Sequence, residues 1–171
     1  ETQKSSDFDG TGTDCTNIDC GVAVTVHTSC NPFISTTQVV PKCLTLGMGC
    51  RKDKDARGIA EAAQKVLDRF GFHKEAFEQI ASIDLKKEEK GILSLSQDWQ
   101  IPFVTYTEEE LKQVPGEFTP SPFVKKITGV DNVCERSAVL ASGNGRLLQR
   151  KTGENGVTTA VAAREWRIHF E

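Results

Sequence analysis

Between residues 56 and 70 the apolar positions Ile59, Ala62, Ala63, Val66, Leu67 and Phe70 recur at i, i+3, i+4, i+7, i+8 and i+11, one face of a helix. Asp55 stands where its N-cap belongs and Gly71 where the chain must leave it. Upstream, Val22-Ala23-Val24-Thr25-Val26 has the β-branched content of a strand, and residues 36–46 read as a second extended stretch carrying Pro41. Downstream the pattern predicts a short helix over 76–80, a strand over 81–85, and a helix over 89–99 with Ile92, Leu93 and Leu95 facing inward. A strand over 102–106 follows. Thr107-Glu108-Glu109-Glu110 then matches a capping box, and Ser121-Pro122 an N-cap with proline at the first helical position. Residues 132–142 read as a helix, and 146–150 and 157–163 as strands about a turn over 152–156. Strands alternating with helices and closing on an antiparallel hairpin predict an α/β layered domain with a mixed sheet.

Composition narrows the classes. The chain's 171 residues suit about one domain, and residues 1–20, polar and rich in Asp, Thr and Gly, read as a disordered or linker-like start. No apolar run approaches the roughly 18 residues of a membrane span, and no signal-peptide pattern is present. The one methionine is Met48, so the chain reads as a piece of something longer. A net charge of −3 argues against nonspecific nucleic-acid binding. Six cysteines without a C-x-x-C pair or a histidine at zinc spacing point to reduced thiols in a cytoplasmic protein, with no metal site of their own.

Candidate chemistry concentrates between residues 44 and 55. An apolar strand runs into Gly47 and Gly49, then Cys50 and the adjacent cations Arg51 and Lys52, with the amphipathic helix directly behind. Glycine permits a sharp turn and close approach to a ligand, and a helix N-terminus offers amides and a positive dipole end. This predicts a turn that receives a carboxylate-rich or phosphate-rich small molecule. Lys52 stands where a third glycine would complete a dinucleotide fingerprint, and there is no P-loop; a nucleotide-phosphate binder on the same turn remains an alternative. Cys50 is either a nucleophile activated by the helix dipole or a small filler of a tight turn. Asp84 and Lys86 end a predicted strand, where open α/β sheets bind ligands, although Asp84 also suits a turn cap. Glu135 is either a general base or an answer to the dipole of its helix. Ser121 reads as a cap whose neighbouring amides suit a substrate carboxylate, while Lys151 and Thr158 flank the hairpin turn. The histidines His27, His73 and His169 are scattered and suggest no triad.

The motifs also stand in a familiar order. They are Val40-Pro41-Lys42, Leu46-Gly47-Met48-Gly49-Cys50-Arg51-Lys52, Ala81-Ser82-Ile83-Asp84-Leu85-Lys86 and Pro102-Phe103. Pro115-Gly116, Ser121-Pro122-Phe123-Val124 and Gly129-Val130 continue the series, and Cys134-Glu135-Arg136-Ser137-Ala138, Lys151 and Val157-Thr158-Thr159-Ala160-Val161-Ala162 close it. From about residue 40 to 163 the chain resembles the C-terminal domain of the cobalamin-biosynthesis protein CbiG, shared with its stand-alone relative CobE. One departure is Asp53, where a small residue or glycine commonly follows the Arg-Lys pair.

The resemblance implies a three-layer α/β/α domain with a mixed, mostly parallel sheet over 44–171, preceded at 21–43 by the end of a linker region. It implies a place in the anaerobic route to the corrin ring. There the whole protein is a cobalt-precorrin-5A hydrolase that opens a δ-lactone and releases acetaldehyde. The partner it implies is a cobalt-precorrin tetrapyrrole fringed with carboxylates, with cobalt carried by the substrate and no resident cofactor. An N-terminal domain absent from this chain is implied too, and with it the alternative of a non-catalytic tetrapyrrole-binding module. In this frame Asp84 and Glu135 are candidate bases. Gly47, Gly49, Cys50, Arg51, Lys52, Lys86, Ser121, Lys151 and Thr158 are candidate substrate contacts.

Overall fold

A computed structural model describes residues 19–167. The linker-like reading of residues 1–20 therefore lies, but for its last two, outside the described residues; Cys20 opens the first strand. Strands β1 (Cys20–Val24) and β2 (Ser35–Val39) pair in parallel as a separate two-stranded sheet. The extended stretch expected over 36–46 is two strands, because Pro41, with no N–H for a ladder, falls in the gap before β3 (Leu44–Cys50).

The main sheet adds β4 (Phe77–Ile83), β5 (Phe103–Tyr106), β6 (Arg146–Glu154) and β7 (Val157–Ala163), in the order β5-β4-β3-β7-β6. β3, β4 and β5 run parallel, while β7 is antiparallel to both β3 and β6. With β1–β2 counted, three of the five strand pairings among the described residues are parallel.

Alternation along β3 builds the layers. Leu44, Leu46 and Met48 point to one face, where they meet Ile59, Ala63, Val66 and Leu67 of α1 (Ala56–Phe70) and Ile92 and Leu95 of α2 (Lys90–Trp99). Gly47 points to the other face, directly under α5 (Cys134–Ala141). Ala138 and Val139 of α5 pack there with Ala162, and the short helices α3 (Glu108–Gln113) and α4 (Pro122–Thr128) complete that layer. The result is helices on both faces of one mixed sheet.

The caps anticipated from sequence are present. The Asp55 side chain accepts from Gly58 N, Gly71 takes φ 62, and the Thr107–Glu110 box closes in both directions. Three local readings are corrected. Residues 76–80 are not a helix: one 3₁₀ turn (Lys74–Ala76) leads straight into β4. Burial of this segment between β3 and β5 outweighs the helical preference of Glu78 and Gln79. Leu93 is 38% exposed, since it sits about 100° around the helix from Ile92, away from the stripe that Ile92 and Leu95 form. The hairpin turn is shorter than expected. Only Asn155 (φ 49) and Gly156 (φ 79) lie between the strands, the two positive φ values that a tight hairpin turn of matching twist demands.

Candidate functional site

Because β3, β4, β5 and β6 share one direction and β7 opposes them, four strand ends and the start of β7 converge on one edge of the sheet. In open α/β folds this edge is where ligands sit. The 51–55 loop, the 3₁₀ turn Asp84–Lys86 and the hairpin tip all lie along it.

The glycines do not make the turn expected of them. β3 runs unbroken to Cys50, and neither Gly47 nor Gly49 has a positive φ. Gly47 is a packing residue, since a Cβ there would stand 1.8 Å from the Cys134 carbonyl oxygen and 2.8 Å from Ala138 Cβ. Gly49 faces Thr158, whose hydroxyl donates to the Gly49 carbonyl at 3.3 Å. The bend comes later, in the 51–54 segment, and its left-handed residue is Asp53 at φ 56. That is why a glycine suits this position and why aspartate, which tolerates the region better than most residues, can replace it.

The loop is held from beneath by Glu89, a residue the sequence reading missed. Its side chain is 8% exposed; it accepts from Lys54 N at 3.1 Å and pairs with Lys86 Nζ at 2.9 Å. Its spacing three residues after Lys86 was the available signal. Asp55 spends its carboxylate on the N-terminus of α1, with Gly58 N at 2.6 Å, and on Lys54 Nζ at 2.8 Å. The helix start is therefore answered by its own side chain rather than left open for a ligand. Cys50 lies next to this pair. Burial pushes its thiol up to about 11, with Lys86 pulling against and Glu89 adding to the rise. Burial thus favours the protonated thiol, which suits Cys50 as a filler of the strand end rather than an activated nucleophile.

Arg51 donates its N–H to the Gly156 carbonyl at 2.9 Å and lays its stem across Gly156, where a Cβ would meet Arg51 Cδ at 3.0 Å. The strand end and hairpin tip are thus tied together. Arg51 and Lys52 are exposed and form no ion pair among the described residues. Asp84 is exposed, and no hydrogen bond to its carboxylate occurs among the described residues.

Glu135 is a different kind of group. Fully buried, it accepts from Thr119 N at 2.7 Å, Thr119 Oγ1 at 2.8 Å and Lys151 N at 2.6 Å. Its own N–H donates to Asn132 Oδ1 at 2.8 Å. Fully buried and bonded to Thr119 and Lys151, Glu135 suits a clasp joining α5, β6 and the segment before α4 better than the candidate base role. Lys151 enters this clasp through its backbone. Ser121 is an N-cap, its Oγ 3.5 Å from Val124 N. The structure thus brings Gly49, Cys50, Arg51, Lys86 and Thr158 to one edge with Lys52 and Asp84 on its rim; Gly47 is sealed under α5.

Residues 44–162 match the family described as "Cobalamin synthesis G C-terminus", from the first residue of β3 to near the end of β7. The chain belongs to that family. A protein named cobalt-precorrin-5A hydrolase from Priestia megaterium is 34% identical over 71% of this chain and 32% of its own length. A second of that name, from Salmonella typhimurium, is 35% identical over 72% of this chain and 35% of its own. The chain thus spans about a third of the length of these relatives. Among solved structures, CobE, from the cobalamin (vitamin B12) biosynthetic pathway, superimposes with a TM-score of 0.66 at 28% identity, over 72% of this chain and 92% of that one. As a member of the cobalamin synthesis G C-terminus family, the chain carries its matched region on the five-stranded sheet, with β1–β2 lying outside the match.

Proposed function

We propose that this chain is the C-terminal part of a cobalt-precorrin-5A hydrolase, and that its strand-end edge receives the carboxylate fringe of the cobalt-precorrin macrocycle. The observation that carries this reading is the pair Arg51 and Lys52. They are exposed, free of ion pairs among the described residues, and fixed at a sheet edge by the bond from Arg51 N to Gly156 O. The names and identity of the relatives support the reaction. Exposed cations held on a rigid backbone suit peripheral acetates and propionates, which guanidinium engages through paired N–H donors.

Opening a δ-lactone requires a water nucleophile, an acceptor for its proton and donors for the tetrahedral oxyanion. With Glu135 buried, Asp84 is the candidate acceptor, an exposed carboxylate at the end of β4 without a partner among the described residues. Arg51 and Lys86 are candidate donors to the developing negative charge. The cobalt belongs to the substrate.

Acetaldehyde release, measured on the full-length protein bearing this domain, tests the assignment. Asp84→Asn is expected to lower turnover with substrate affinity retained, and turnover at the wild-type rate removes Asp84 from the chemistry. Arg51→Ala is expected to weaken binding by roughly three- to tenfold, the range of one exposed charge-assisted contact. Unchanged affinity refutes the edge as the carboxylate clamp. Affinity lost with turnover of bound substrate intact places the chemistry in the rest of the protein.

A further inference from the structure

On the α1 face of the sheet, away from α5, a cleft of about 390 Å³ separates α1 from the β6–β7 hairpin. Its walls include Ala62, Val66 and Phe70 from the helix and Thr152 and Thr159 from the strands, with Arg69 at its rim. The volume lies near the lower end of small-ligand sites. Walls of this kind accept an aliphatic stem.

The polar floor has hydrogen-bonding capacity to spare. Gln149, 2% exposed, donates Nε2 to Thr152 Oγ1 at 3.0 Å, and Thr152 and Thr159 share one bond between hydroxyls at 3.0 Å. Two hydroxyl hydrogens serve one bond, so one is left without an acceptor among the described residues. Gln149 Oε1, buried behind Thr152 and outside the cleft's lining, likewise has no partner among them. Buried polar groups in native proteins are nearly always satisfied, so unspent capacity beside a cleft points to an occupant. The charges at the rim are divided. Lys65 is paired with Glu154, and Asp68 accepts from Gln64 Nε2 at 2.8 Å. Arg69 makes no ion pair among the described residues; its guanidinium rests 5.5 Å from the Phe70 ring centroid.

We infer that this cleft is a binding site for a short carboxylate with an aliphatic stem, the stem lying on Val66 and Phe70 and the carboxylate meeting Arg69 and the spare threonine hydroxyl. The claim goes beyond the strand-end reading, since it needs neither Arg51 nor Asp84. A propionate arm of a macrocycle and a free short-chain acid present the same chemistry, and the test separates them.

Amide ¹H–¹⁵N spectra of the chain are recorded with propionate, with propan-1-ol, and with an octacarboxylate porphyrin. Propionate is expected to shift the Arg69, Thr152 and Thr159 amides saturably while propan-1-ol does not. Arg69→Gln and the near-isosteric Thr159→Val, each checked for an unchanged melting curve, are expected to weaken propionate about tenfold. Porphyrin displacing propionate from these amides supports a macrocycle arm as the occupant, and propionate binding alone supports a free acid. Silence at these amides with both acids, equal shifts from propan-1-ol, or undiminished affinity in both variants overturns the inference. Because Arg51→Ala leaves the cleft intact, failure here and failure of the strand-end clamp are read separately.

Discussion

Replacing Gly47 by alanine tests whether that residue serves packing or ligand approach. The new Cβ would sit 1.8 Å from the Cys134 carbonyl oxygen and 2.9 Å from the carbonyl carbon. Ordinary contact begins near 3.4 Å, so about 1.6 Å must open between β3 and the first turn of α5. The obstacle is backbone, which cannot rotate away as a side chain can. Moving α5 strains the bonds it makes to the sheet: Ser137 Oγ to Ala81 O at 3.2 Å, Gln79 Nε2 to Ala141 O at 2.7 Å, and the Glu135 clasp. Overpacking costs about 1–3 kcal/mol and each of the three weakened bonds about 1 kcal/mol more, so Gly47→Ala is expected to lose about 4–6 kcal/mol. That is a large part of a domain's usual stability of about 5–15 kcal/mol.

Gly49→Ala is the internal control. Its Cβ would meet only the Thr158 hydroxyl, at 2.7 Å, and that side chain can turn aside with the loss of one 3.3 Å bond. A cost of about 1 kcal/mol is expected. Urea denaturation followed by circular dichroism measures both. Adding Ala138→Gly to Gly47→Ala relieves the 2.8 Å contact but not the carbonyl, so rescue should be partial. If Gly47→Ala stays within about 0.5 kcal/mol of wild type, the range of an inconsequential substitution, the packing argument is wrong. Weakened ligand binding at full stability would then restore the ligand-approach role.

Three further outcomes follow from the same geometry. Glu135→Gln puts an amide N–H₂ against donors that now meet carboxylate oxygens, and should cost about 2–4 kcal/mol in urea denaturation; a stability equal to wild type refutes the clasp. Asp53→Gly relieves a non-glycine residue at φ 56 and should be neutral or stabilising by up to about 1 kcal/mol, whereas Asp53→Val should destabilise; a reversed order in melting temperature counts against the assigned turn. Burial keeps the proton on Cys50 up to about 11 in the folded chain, while an unfolded thiol releases it near 9.0, so the unfolded state binds fewer protons between those values. Stability should be complete below pH 9 and fall as pH rises toward 11. Cys134, pushed up to about 12, contributes in the same direction, so Cys50→Ala should flatten the decline without abolishing it; an unchanged slope removes Cys50 from the effect.

What the sequence disclosed and what it hid divide along a physical line. Asp55, Gly71, the Thr107–Glu110 box and Ser121 were legible because a cap and its partner amide lie within four residues. The α1 stripe was legible because its period is local. The start of β4 was misread because Glu78 and Gln79 favour helix, and only the neighbours β3 and β5, distant in the chain, decide otherwise. Gly47 and Gly49 looked like turn residues for the same reason: the carbonyl that excludes a side chain at Gly47 belongs to Cys134, on another layer. Asp53 was noticed as a departure from the family pattern, but its meaning, a left-handed residue in the bend, needed the backbone.

The candidate site shows a division of work that follows from burial. Glu135 and Glu89 are charged residues turned inward, and each joins segments that are separate in the chain: Thr119 with Lys151, and Lys54 with Lys86. Both carboxylates are buried and already hydrogen-bonded within the protein, and removing them leaves stranded donors. Arg51, Lys52 and Asp84 are exposed, bear little of the fold's stability, and keep their full valence for a ligand. The frame therefore fixes where the exposed charges stand. Substitutions at the inward acids should register in denaturation midpoints, and substitutions at the outward charges should register in affinity or turnover. A variant of Arg51 that unfolded the chain, or one of Glu135 that altered only turnover, would contradict this assignment of roles.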